Sequence, residues 1–255
     1  MKKIVVNGAN GKMGKKVVDL ILNKDNTELV GVCDKKGLGK KIDSSDLIIK
    51  DNLAQILEEK NVDLVIDFTT PESVMENIKI VLNNDTNMIV GTTGITDKNL
   101  AEVRKIIGDN KIIIAPNFAI GAVLMMEFSQ KAAKYMDDAE IIELHHDQKI
   151  DSPSGTSIRT AELINKNFAK NKEDRKDYIE SLSGARGAKK DGINIHSVRL
   201  KGLVAHQQVI FGAEGQSLTI KHDSYDRSSF MPGVALAIDK IDQVSGLVYG
   251  LENIL

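Results

Sequence analysis

The chain has 255 residues, a hydrophobic fraction of 42%, and 34 lysines and arginines against 36 aspartates and glutamates, for a formal net charge of −2. Interspersed charges of both signs exclude the broad basic field of a nucleic-acid binder, and no apolar run approaches the ~20 residues that span a bilayer. A single cysteine, Cys33, excludes an internal disulfide and fits a reducing compartment. Met1-Lys2-Lys3 leads into an apolar run too short for a signal peptide. The expectation is a cytoplasmic globular protein, with no membrane or nucleic-acid partner, that folds as one large domain or two modest ones.

In chain order, short β-branched runs alternate with amphipathic stretches through the first half. Strands are predicted at 3–7, 29–34, 64–68, 88–91 and 112–115, and helices at 12–18, 51–59, 72–83 and 97–107. That alternation calls for a parallel sheet covered by helices. After Pro116-Asn117 it stops. A helix is predicted over 121–136, a strand over 139–144 leading to His145, and a helix over 157–168 opened by Ser154-Gly155-Thr156. Residues 166–190, rich in Lys, Asp, Glu and Asn, read as a mobile surface connection. Three strands follow at 193–200, 203–211 and 216–221. The short joints Lys201-Gly202 and Ala213-Glu214-Gly215 predict an antiparallel meander. A last apolar helix over 233–241 is expected to return to the first domain. The predicted class is α/β: a Rossmann-like parallel-sheet domain of residues 1–117 and 227–255, and a smaller α+β substrate domain of residues 118–226 with a mixed or antiparallel sheet.

Gly8-Ala9-Asn10-Gly11-Lys12-Met13-Gly14 follows the first strand and opens the first helix. Glycines there permit a tight turn and let a pyrophosphate reach the helix N-terminus, where unpaired N–H groups and the dipole favour an anion. Asn10 stands where the usual dinucleotide pattern has its second glycine, and a tight turn without ligand has the same composition. Asp34, 20 positions after Gly14, sits where a carboxylate accepts hydrogen bonds from the ribose of NAD. Lys12, Lys35 and Lys36 are placed to balance a 2′-phosphate, so NADH and NADPH are both expected as cofactors, with Asp34 favouring NADH. Gly91-Thr92-Thr93-Gly94 and Pro116-Asn117-Phe118-Ala119 follow the fourth and fifth strands, on the side where open α/β sheets bind ligands.

The stretch from His145 to Thr156 gathers two histidines, Lys149 and a Pro-Ser-Gly-Thr turn within twelve residues. Reducing a conjugated imine requires a hydride on one atom and a proton on another, and histidine is suited to proton transfer near neutral pH. Lys149 offers a fixed cation or a second proton, and the turn offers N–H groups to a carboxylate. A metal site is not expected, because adjacent strand histidines point to opposite faces and no third ligand spacing recurs. His196, His206 and His222 read as structural.

The motifs Gly8–Gly14, Ile66-Asp67-Phe68-Thr69, Gly91–Gly94, Asn117-Phe118, His196-Ser197-Val198-Arg199-Leu200 and, above all, Glu143-Leu144-His145-His146-x-x-Lys149-x-Asp151-x-Pro153-Ser154-Gly155-Thr156 run almost end to end. Through them the chain resembles the 4-hydroxy-tetrahydrodipicolinate reductase family, also called dihydrodipicolinate reductases, of lysine and diaminopimelate biosynthesis. The resemblance implies His145 as proton donor and acceptor, Lys149 as second proton donor, and His146, Gly155 and Thr156 as ligands of a small dicarboxylate substrate. It implies cofactor contacts at Gly8, Ala9, Asn10, Gly11, Lys12, Met13, Asp34, Gly91, Thr92, Thr93, Pro116, Asn117, Phe118 and Ala119, with Lys35 at the position associated with the 2′-phosphate. It also implies a homotetramer assembled through the substrate-domain sheet. Closure of the two domains is expected to bring His145, His146, Lys149 and Gly155-Thr156 over the nicotinamide. Asp147 and Gln148 stand where better-known members carry basic residues, and Thr70 where some carry an arginine that helps hold NADPH. Two other readings share the glycine loop. Another NAD(P)-linked amino-acid or semialdehyde dehydrogenase leaves the segment from His145 to Thr156 unexplained, and Cys33 lies in the wrong half for a thioester route. A noncatalytic NADH-binding module has no need of proton donors.

Overall fold

The computed structural model describes residues 1–43, 45–168 and 179–255. The chain begins β1 (Lys2–Asn7), α1 (Lys12–Asn23), β2 (Thr27–Cys33), α2 (Leu53–Glu59), β3 (Leu64–Asp67), α3 (Pro71–Asn83), β4 (Asn87–Val90), α4 (Asp97–Ile106) and β5 (Ile112–Ile114). It continues with α5 (Ile120–Ala132), β6 (Asp138–His145), α6 (Gly155–Asn165), β7 (Ala188–Lys190), β8 (Ile193–Arg199), β9 (Ala205–Ala213) and β10 (Gln216–Ser224), and ends with α7 (Met231–Lys240) and β11 (Leu247–Tyr249) among short 3₁₀ turns. Two compact units result: Met1–Phe118 with Phe230–Leu255, and Ala119–Ser229.

In the first unit, Ile4-Val5-Val6, Leu64-Val65-Ile66 and Ile112-Ile113-Ile114 are all buried. Such unbroken apolar runs suit strands covered on both faces, the environment of a parallel sheet. The sheet is parallel throughout, in the order β11-β5-β4-β3-β1-β2. The chain winds outward from β1 to β2, then crosses back to β3, so the C-terminal ends of β1 and β3 flank a topological switch point, where such sheets bind ligands. Helix α1 buries Gly14, Val17, Val18 and Ile21, one stripe at helical spacing. It runs to Asn23, beyond the predicted end at 18, because Ile21 continues that stripe for another turn. Helix α7 lies in this unit and packs beside α1.

The second unit has a five-stranded sheet in the order β10-β9-β6-β8-β7. Strands β9 and β10 form the predicted antiparallel hairpin. The rest of the meander is corrected: β6 lies between β8 and β9, parallel to the former and antiparallel to the latter. The connection between Arg199 and Ala205 crosses the end of β6, where the Leu200 N–H donates to the His145 carbonyl at 3.0 Å. Five residues readily span two strand spacings of about 4.8 Å, so the short joint did not require β8 and β9 to pair. Helices α5 and α6 pack on the face carrying Ile141, Ile195, Val209 and Phe211. Strands β7 and β11, three residues each, escaped prediction as too short for a period. Of the connection expected over 166–190, residues 169–178 lie outside the described residues and 188–190 form β7.

Candidate active site

The glycine loop of the first unit is packed so that side chains are excluded. Gly8 has φ +82°, and a Cβ there would lie 2.5 Å from the Phe68 carbonyl oxygen. A Cβ on Gly14 would lie 2.0 Å from the Gly8 oxygen, and one on Gly91 2.1 Å from the Phe68 ring. Helix α1 starts without a capping side chain and without an acidic residue in its first turn, whereas α2 and α4 are capped by Asn52 and Thr96. Its first N–H groups, at Lys12 and Met13, fit a pyrophosphate. Asp34 accepts from the Asn10 N–H at 2.9 Å and the Lys36 N–H at 2.7 Å, while the Asn10 amide donates to the Lys36 carbonyl at 3.2 Å. Asn10 thus braces the loop against the end of β2, beside exposed Lys35, a use for the residue that replaces the second glycine. Cys33 is buried on β2, and burial pushes its thiol up to about 12, leaving it no role as a thiolate.

Beneath this loop lies a polar cluster that the sequence reading missed. The fully buried Asp67 carboxylate accepts from Asn7 and Asn77 at 2.8 Å each, from the Thr92 hydroxyl at 2.8 Å, and from the Thr69 N–H and hydroxyl at 3.1 and 2.8 Å. It therefore ties together the ends of β1, β3 and β4, including the loop at Gly91, Thr92 and Thr93. Phe118 is buried with its ring 5.8 Å from Phe68, while Pro116 is exposed. Ala119 falls in the second unit as the N-cap of α5, so the Pro116–Ala119 run straddles the two units.

In the second unit, His145 is the last residue of β6, and its Nδ1 bonds the carboxylate of Glu143. Glu143 is fully buried and also receives a two-pronged contact from Arg199, with both Nη atoms at 2.9 Å, and the Ser154 N–H at 3.3 Å. Burial by itself would raise this carboxyl, but hydrogen bonds from His145, Arg199 and Ser197 hold it at about 2. Arg199 Nη2 also donates to the Asp151 carbonyl at 2.7 Å. The Asp151 side chain receives both contacts of Lys149, at 2.7 and 2.8 Å, which lower its pKa. His146 closes a turn by accepting the Lys149 N–H at 3.2 Å. Ser154 caps α6, so the helix starts at Gly155, two residues before the predicted start. Gly155 is exposed with open space beside it, and Thr156 is half-buried.

His145, His146, Lys149, Gly155 and Thr156 are therefore carried by one strand end, one turn and one helix start, fastened together by Glu143 and Arg199. Both fasteners were visible in the motifs, but their contact depends on β8 lying beside β6. The other histidines lie outside this group. His196 pairs with Glu140 at 2.9 Å and His206 with Asp223 at 2.8 Å, and half-buried His222, its pKa lowered by burial, packs against Gly121. Among the described residues, no cluster of His, Cys, Asp and Glu suits a metal ion.

A family model described as dihydrodipicolinate reductase, N-terminus, matches residues 2–118, and one for the C-terminus of the same enzyme matches residues 121–255. The chain is 52% identical to a 4-hydroxy-tetrahydrodipicolinate reductase from Listeria welshimeri, covering 99% of each, and 48% identical to one from Halalkalibacterium halodurans, covering 100% of each. Its structure is similar to that of a dipicolinate-bound dihydrodipicolinate reductase from Paenisporosarcina sp. TG-14, with TM-score 0.90 and 45% identity over the whole of both chains. An amine dehydrogenase from Mycobacterium smegmatis shares the fold at TM-score 0.69 and 11% identity. With both family models matched in order and the relatives aligned end to end, this chain belongs to the dihydrodipicolinate reductase family of oxidoreductases.

Proposed function

We propose that this protein reduces 4-hydroxy-tetrahydrodipicolinate to tetrahydrodipicolinate with NADH or NADPH, in the cytoplasmic synthesis of diaminopimelate and lysine. The observation that carries the reading is the fastening of the segment from Glu143 to Thr156 to Arg199, which holds two proton donors beside the exposed N-terminus of α6 at Gly155. That the structurally similar relative binds dipicolinate supports a planar dicarboxylate as the ligand. The reaction removes the 4-hydroxyl as water and adds one hydride and one proton. Bound reduced nicotinamide supplies the hydride.

Residues 1–117 and 227–255 serve as the cofactor domain in this reading, and residues 118–226 as the substrate domain. Gly8, Ala9, Asn10, Gly11, Lys12 and Met13 cradle the pyrophosphate. Asp34 accepts from the adenine-side ribose, Lys35 faces a 2′-phosphate, and Gly91, Thr92, Thr93, Pro116, Asn117, Phe118 and Ala119 line the nicotinamide side. His146 and the N–H groups of Gly155 and Thr156 hold the substrate carboxylates. His145 gives a proton to the enamine left by hydride addition, and Lys149 assists. With Asp34 intact and Thr70 uncharged, the protein uses both cofactors and favours NADH.

A coupled assay decides this: the unstable substrate is generated from pyruvate and aspartate semialdehyde, and NADH and NADPH consumption are followed in parallel. Consumption with both is expected. His145→Ala and Lys149→Ala should each lower kcat by about 10²-fold or more while leaving NADH affinity within twofold. Nucleotide binding without consumption would replace the reading with a noncatalytic NADH-binding module.

A further inference from the structure

We infer that Glu143 and Arg199 act as a positioning pair, holding His145 so that its Nε2 is the atom that gives and regains the proton. The inference rests on the proposed reductase activity for its meaning, but its geometry stands apart from it. Neither residue is placed against substrate or cofactor.

A carboxylate only accepts hydrogen bonds, so the His145 Nδ1 that bonds Glu143 must carry a hydrogen. Neutral His145 is then the Nδ1–H tautomer with a free lone pair on Nε2. Protonation adds Nε2–H without disturbing the bond to Glu143. When the proton moves, the Nε2–H bond breaks, its electron pair stays on the ring nitrogen, and the new C–H bond forms on the substrate enamine.

Arg199 keeps this arrangement in place. Its two Nη contacts occupy both oxygens of Glu143, and the Ser154 N–H adds a third donor, so the carboxylate cannot rotate. The same guanidinium reaches the Asp151 carbonyl, whose side chain grips Lys149. One buried ion pair therefore fixes the strand end bearing His145 and the turn bearing Lys149. The carboxylate stays ionised while the imidazole changes charge beside it, as in hydrolases whose buried aspartate orients a histidine.

The test is ¹⁵N NMR on protein labelled at histidine, with His145 signals identified by their loss in His145→Ala, alongside kinetics of the full chain. In the unaltered protein, neutral His145 is expected as the Nδ1–H tautomer. Glu143→Ala should convert it to the Nε2–H form or a mixture and lower kcat by about 100-fold, with KM for NADH within twofold. Glu143→Gln, which keeps an acceptor oxygen, should recover part of that loss. If Glu143→Ala leaves Arg199 unpaired and the protein unfolded, the double variant Glu143→Gln with Arg199→Met removes both charges and the guanidinium that immobilises the side chain, and should lower kcat more than Glu143→Gln alone, with KM for NADH again within twofold. His145 found as Nε2–H in the unaltered protein, or kcat within twofold in these variants, overturns the positioning role. Should the unaltered protein consume neither NADH nor NADPH, the reductase reading fails instead, while the tautomer still decides whether Glu143 sets the ring.

Discussion

At the scale of single residues, two buried carboxylates do different work. Asp67 has only neutral donors around it, which makes it a knot of hydrogen bonds under the glycine loop. Asp67→Ala strands those donors, each costing about 1–3 kcal/mol, and frees the loops it joins. KM for NADH should rise by about tenfold or more with a smaller fall in kcat, measured by steady-state kinetics. Glu143, by contrast, is held ionised by a cation. Its folded pKa of about 2 lies below the ordinary 4.5, so it favours the folded state above pH 4.5, and that contribution disappears as pH falls toward 2. Removing one partner of a buried ion pair costs about 3–5 kcal/mol. Urea unfolding should show Glu143→Gln less stable by an amount of that order at pH 7, and the gap between variant and parent should narrow steadily below pH 4.5.

At the scale of elements, the glycine loop and α1 are packed as one piece. Gly14 lies within the helix, where alanine ordinarily has the higher helix propensity. Here a Cβ would sit 2.0 Å from the Gly8 carbonyl oxygen, a backbone atom that moves only if the loop opens. Gly14→Ala should therefore weaken NADH binding at least tenfold, read by titration of nucleotide fluorescence, and lower the melting temperature, since overpacking of this kind costs about 1–3 kcal/mol. Gly155 sits at the start of another helix with open space around its Cβ position, so its glycine is not demanded by packing. The two helix starts differ for that reason: one is closed around its own backbone, the other is open toward solvent.

At the scale of the whole molecule, α5 and α6 cover one face of the second sheet. By alternation the other face carries Ile142, Leu144, Val198 and Ile210 among Glu140, His196, Gln208 and Lys221. A face this mixed suits contact between copies, and we propose it as the surface through which the chain assembles as a homotetramer. Sedimentation should give a tetramer, and Ile210→Asp together with Ile142→Asp should shift it to smaller species while NADH binding by the first unit persists. A monomer in the unaltered protein would remove that proposal.

Periodicity and punctuation made most of this fold legible. Unbroken apolar runs announced the parallel strands because burial on both faces leaves no other pattern, and the glycine spacing announced the phosphate-type loop because backbone contact tolerates no side chain. The cluster from His145 to Thr156 was equally plain, since its residues are close along the chain. Strand order within the second sheet was decided only in three dimensions. A short joint between β8 and β9 suggested that they pair, yet β6 gains a partner on each side by inserting between them. That insertion, fixed by long-range packing, carries Arg199 to Glu143. Asp67 lay hidden for a similar reason: its donors come from Asn7, Thr69, Asn77 and Thr92, which only the winding of the sheet gathers at one point. The sequence by itself determined which residues are available for chemistry, because residue type and local spacing are written in it. The tertiary structure alone decided which buried carboxylate holds which group, because those contacts join residues far apart along the chain and exist only once both sheets have formed.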